Sequence, residues 1–220
     1  MQDTEDQLRH EICRIGLSLY ERSYVHATAG NISVRLPDQQ GYLITPTDAC
    51  LGALNPETLS KIDLNGQQLS GDRASKTIQL HRAIYEANSE AHCVIHTHST
   101  HLVGVTLSGV WSKDDIVPPI TPYFVMKVGH VPLISYAIPG SAEVVKAVIE
   151  KLKISQEQQI TLRAVMLERL GPVVWHASLK EASATLEELE ETAKLWLMTK
   201  ANALSDEQIQ ALCRQFNVTW

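Results

Sequence analysis

The stretch that most constrains this chain is HCVIHTH, residues 92–98. Its centre is a short apolar run of strand length, and segments of helical period flank it. Residues 76–88 carry Ile78, Leu80, Ile84 and Tyr85 as apolar positions with the polar ones mostly outward, and residues 99–108 read as a second helix. A strand between two helices calls for sheet and helix layers packed on each other, an α/β domain.

The remaining segments extend that pattern. Residues 5–24 place Leu8, Ile12, Ile15 and Leu19 on one helical stripe, with acidic residues in the first turn. Two β-like runs, ISVRL and GYLIT, flank PDQQG as a hairpin. Residues 45–72 are rich in turn residues and hold one short strand, KIDL, before Asn65-Gly66. Residues 117–136 are proline-punctuated and β-prone. A helix over 141–153 follows with Ser141 as its cap, then strands AVMLERL and PVVWHA around Gly171. Residues 178–202 form a long helix supported by Glu190 with Lys194, and a last helix starts at Asp206. No repeat or linker interrupts the 220 residues, so one domain over 1–220 is expected.

Charge excludes several functions. Nineteen Lys and Arg stand against 25 Asp and Glu, net −6, with no basic stripe to follow a nucleic-acid backbone. No run of 18 apolar residues suggests a membrane span. The polar, acidic start MQDTEDQLRH lacks the layout of a secretory signal, so a cytoplasmic location is expected. Cys13, Cys50, Cys93 and Cys213 are scattered and read as reduced packing residues.

His96 and His98 are two apart at the end of the apolar run, so both imidazoles project to one face of a strand. Imidazole suits zinc, whose catalytic sites keep three protein ligands and one open position. The spacing alone is shared with ordinary histidine pairs.

AGNISVRL, LITPTDACLG, LSKIDLNG, LSGDRASK, VIHTHSTH, TPYFVMKVGHVPLI, LGPVV and EELEETAKL follow one another in an order that resembles the class II aldolase/adducin family. Within it the chain is most similar to the 3-oxo-tetronate 4-phosphate decarboxylases, cousins of fuculose-phosphate aldolase. The resemblance implies an α/β/α domain with a central mixed, mainly antiparallel sheet flanked by helices. It also implies C–C bond cleavage, by decarboxylation or retro-aldol reaction, in a small sugar-acid phosphate. By the same resemblance a divalent metal such as Zn2+ would stabilise the enediolate. His96 and His98 match two metal ligands. Asn31, Thr47 and Ser75 match phosphate-binding positions, with Lys76 beside them. Tyr123 matches a proton donor working in a neighbouring subunit of a homotetramer. Read alone, Asn31 is a left-handed turn residue after Gly30, Ser75 a helix cap and Tyr123 a sheet aromatic.

Three positions depart from the family pattern. Thr77 stands where the family has its catalytic glutamate, and a hydroxyl does not carry protons near neutral pH as a carboxylate does. Leu170 takes the place of the third metal histidine, next to Arg169, leaving a metal weakly held or absent unless His101, His130 or His176 steps in. Asp48 replaces the glycine of the phosphate turn, where a carboxylate repels an anion and a Cβ hinders close approach. Altered or lost lyase activity follows. The alternatives are a metal-independent enzyme on a non-phosphorylated substrate and a non-catalytic subunit like the adducin head.

Overall fold

A computed structural model describes residues 4–37 and 39–220. Among them, eight strands form one mixed, mostly antiparallel sheet accompanied by seven α-helices. The strands are β1 (Asn31–Arg35), β2 (Gly41–Ile44), β3 (Ser60–Asp63), β4 (Gln68–Ser70), β5 (Cys93–His96), β6 (Leu133–Ile134), β7 (Ala164–Leu167) and β8 (Gly171–His176). Their order in the sheet is β4-β3-β2-β1-β5-β8-β7-β6. The helices are α1 (Glu5–Glu21), α2 (Ile78–Ala87), α3 (Thr100–Ser108), α4 (Pro122–Lys127), α5 (Ala142–Glu157), α6 (Leu179–Thr199) and α7 (Asp206–Phe216). The chain divides into two compact units, one of residues up to His98 with Trp175–Ser183, the other of Ser99–Val174 with Ala184–Trp220.

In the first unit the strand pleat sorts the side chains. β1 pairs antiparallel with β2 on one side and β5 on the other. Ile32 and Val34 point to one face; Val34 shares a recess with Leu8 and Glu11 of α1. Asn31, Ser33 and Arg35 point to the opposite face, where the Ser33 hydroxyl and the Arg35 guanidinium meet Tyr85 of α2. Ile12, Ile15 and Leu19 of α1 are buried, as their spacing predicts. A Thr4–Gln7 capping box starts that helix. The expected hairpin is present, with Asp38 of its turn outside the described residues.

β4 is an added strand that the residues did not announce. All three of its residues are exposed, so no buried face marks it as a strand, and pairing with β3 across Asn65-Gly66 creates it. The expectation that the polar residues of residues 76–88 face outward also fails at one place. His81 is wholly buried on the apolar side of α2, between Ile78 and Ile84 in the helical stripe.

In the second unit, residues 117–136 are not chiefly β. Thr121 accepts a hydrogen bond from the Phe124 N–H at 3.1 Å and Pro122 occupies the first helical position, so a helix, α4, starts there. Only Leu133–Ile134 remains strand. Tyr123 therefore lies in the first turn of a helix, 62% exposed, and is not a sheet aromatic. Ser141 stands at the start of α5 but makes no capping bond, and its hydroxyl is buried without a partner. Glu190 does not support α6 through Lys194, which lies 3.8 Å from Glu191 instead. Glu190 is 2% exposed, and its carboxylate accepts the N–H groups of His101 and Leu102 at 2.9 and 3.0 Å and the His101 ring at 2.8 Å. It closes the open donors at the start of α3 from another helix.

Candidate active site

The site residues of the first unit are brought together by one strand pairing and one loop pairing. Asn31 lies directly opposite His96 in the β1–β5 register, so the two side chains share the face that α2 covers. Asn31 is the first residue of β1, not the left-handed residue of the turn; Gly30, at φ +85°, takes that conformation. A Cβ on Gly30 would lie 2.9 Å from the His96 carbonyl oxygen, so only glycine lets the entry to β1 press against the end of β5. Asn31 and His96 are both buried.

The loop pairing joins residues 45–47 to 73–75. The Thr47 N–H donates to Arg73 O at 2.8 Å, the Ser75 N–H to Thr45 O at 3.3 Å, and Pro46 bridges Ala74. Thr47 and Asp48 are thereby carried next to Ser75 and Lys76. Ser75 is not the cap of α2: that place falls to Thr77, whose own side chain makes no capping bond. The Ser75 and Thr77 hydroxyls are 2.8 Å apart, and the Thr77 N–H points to the Ser75 hydroxyl at 3.4 Å. Asp48 sits at φ +57°, the conformation for which glycine is the unstrained choice.

His98 lies beyond the end of β5, yet its ring centroid is 5.1 Å from that of His96. His26, exposed and unsuspected from the sequence, is 6.3 Å from His98. Burial lowers the pKa of His98, with a smaller push from His26, which favours the neutral ring that a metal requires. Among the described residues, however, no three His, Cys, Asp or Glu side chains are grouped so as to hold a metal ion. The stand-in histidines are each engaged by a carboxylate: His101 by Glu190 and His130 by Asp115 at 2.8 Å, His176 by Glu181 at 3.1 Å. Leu170, which the family resemblance aligns with a third ligand, is half-buried in the turn after β7, following Arg169 at φ +63°. Two imidazoles alone are one donor short of a three-ligand catalytic centre. Tyr123, Arg169 and Leu170 belong to the second unit.

Sequence reasoning overlooked His81 and Ser33. The signal was available: His81 is three residues from Ile78 and from Ile84, on the stripe that must face the sheet.

The whole-chain comparison decides the family. Residues 10–197 match the model of the Class II Aldolase and Adducin N-terminal domain. The chain belongs to the class II aldolase and adducin family. It is 54% identical to a 3-oxo-tetronate 4-phosphate decarboxylase of Cupriavidus necator over 224 aligned positions, covering 99% of both chains. An L-fuculose phosphate aldolase of Escherichia coli K12 is 30% identical over 213 positions, 94% of this chain and 89% of that one. The crystal structure of YgbL from Escherichia coli superposes with a TM-score of 0.86 at 38% identity, over 94% of this chain and 98% of that one. No helix of the described residues is long and apolar enough to cross a membrane.

Proposed function

We propose that this class II aldolase family member binds a small phosphorylated sugar acid and cleaves its C–C bond only slowly. The similarity to 3-oxo-tetronate 4-phosphate decarboxylases supports the substrate class. Asn31, Thr47, Ser75 and Lys76 would hold it, with Lys76 exposed to meet the phosphate. The observation that carries the slow turnover is the Ser75–Thr77 hydroxyl pair: at the start of α2 a hydroxyl bonded to a hydroxyl stands where the family has its proton-carrying carboxylate. The incomplete donor set at His96 and His98 acts in the same direction. The reading takes residues 1–220 as one functional domain, in keeping with a single family model over residues 10–197. It further takes the protein as a cytoplasmic homotetramer, with the exposed Tyr123 available to a neighbouring subunit's site.

Binding is measured apart from turnover, by calorimetric titration with a tetronate 4-phosphate. Saturable binding is expected, tightening roughly threefold to tenfold in Asp48→Gly as one unit of repulsion near the phosphate is lost. That variant also gains about 1 kcal/mol of stability as the left-handed strain is relieved. Equal affinity for the tetronate with and without its phosphate would instead favour a non-phosphorylated substrate.

A further inference from the structure

α4 carries the exposed Tyr123 on a helix of six residues, too short to hold its shape alone in water. Its inner face is anchored by Phe124, wholly buried, with its ring centroid 6.1 Å from that of Trp220. Tyr123 is 62% exposed, so little packing orients its side chain, and the place of its hydroxyl follows the place of α4.

Both ends of α4 are tied to one face of α6. At the start, the Thr121 hydroxyl accepts the Phe124 N–H at 3.1 Å and gives its own hydrogen to Oε1 of Glu188 at 3.3 Å. The half-buried Glu188 carboxylate makes that hydroxyl a better acceptor for the N–H, since bonds in a chain polarise one another. Thr192, one turn further along α6, brings its hydroxyl to 3.5 Å from the same Oε1 and steadies the carboxylate. At the far end, the buried Thr185 hydroxyl donates to the carbonyl of Lys127, the last residue of α4, at 3.3 Å. That carbonyl is one of the acceptors that a helix end leaves open. Thr185 and Glu188 are three residues apart on α6, hence neighbours on its surface. One tie would keep α4 from unwinding. Two ties at opposite ends also fix the direction of its axis, and with it the direction of Tyr123.

We propose that Glu188 and Thr185 are positioning residues, a clamp on the two ends of α4 that holds the Tyr123 hydroxyl where a neighbouring subunit's site uses its proton. Both act through Tyr123. This deepens the reading proposed above and rests on its use of that tyrosine.

Amide hydrogen exchange of the free protein tests the clamp without any ligand. The Phe124 and Val128 amides, bonded to the Thr121 hydroxyl and the Phe124 carbonyl, are expected to exchange about tenfold faster in Glu188→Leu. Glu188→Gln, whose amide oxygen still accepts from Thr121, is expected to keep the wild-type rates. Unchanged exchange in Glu188→Leu overturns the clamp. Steady-state release of carbon dioxide from a 3-oxo-tetronate 4-phosphate tests the link to Tyr123. Glu188→Leu and Thr185→Val are each expected to lower kcat about tenfold with KM little changed, as misplacing a reacting group does, while Glu188→Gln keeps it. In a Tyr123→Phe background neither substitution lowers kcat further. An equal fall in both backgrounds marks a general structural role and overturns the proposal. A Tyr123→Phe variant as active as the wild type, or a wild type that binds the ligand and releases no carbon dioxide, rejects the underlying reading and the positioning role with it, whatever the exchange rates show.

Discussion

The double variant Thr77→Glu/Leu170→His is expected to raise decarboxylation of a 3-oxo-tetronate 4-phosphate about 10²–10⁴-fold over the wild type, the range attached to a well-placed general acid or base. Thr77 occupies the N-cap of α2, where a carboxylate is favoured by the helix dipole and has backbone N–H groups to meet. Glutamate there breaks no bond beyond the Ser75–Thr77 hydroxyl pair. Leu170 lies in a turn and is only half-buried, so an imidazole enters without opening a core cavity. The two changes restore different capacities, a proton carrier and a third nitrogen donor, so each alone is expected to yield far less than both. A double variant that takes up zinc with no gain in turnover would mean that the substrate pocket has also diverged.

Acid is expected to destabilise the protein through His81. Its pKa is near 6.5 in the unfolded chain and about 3 in the folded one. The unfolded state therefore binds the proton more readily. The stability from keeping the ring neutral is full above pH 6.5 and is lost progressively as pH falls towards 3. At 1.36 kcal/mol per pH unit the loss is on the order of 2–3 kcal/mol between pH 6.5 and 4.5. His98, whose pKa is also lowered, adds a smaller loss of the same sign. Urea unfolding of wild type and His81→Leu at pH 7 and pH 4.5 isolates the effect. The variant is less stable at pH 7, because Ser33 and Tyr85 lose their partner, but its stability falls less between the two pH values. Parallel falls in the two proteins would contradict a neutral buried His81.

The sequence was most readable where periodicity and cap chemistry agree. α1 carries its buried stripe and capping box, and β5 its apolar run, at the expected places. Composition misled where local bonding overrode it. Residues 121–127 are rich in β-prone side chains, yet a threonine cap followed by proline makes them helical. Glu190 has ideal spacing for a surface pair with Lys194, but burial sends its carboxylate to the start of α3, a long-range contact that no local pattern encodes. At the candidate site, the histidine pair and the loop residues were legible as types in order. The left-handed backbone of Asp48, at φ +57°, was not legible from its residue type. The hydrogen-bonded chain of His81, Ser33 and Tyr85 was not legible either, since it depends on which strand face α2 covers.

The most direct measurement of the central claim, a family scaffold with a donor set too small for the family's metal, is the zinc content of the purified protein together with its melting temperature. Two imidazoles without a third protein ligand predict zinc well below one ion per chain and no rise in Tm when zinc is added. Close to one zinc per chain, with a clear rise in Tm on addition, would contradict it.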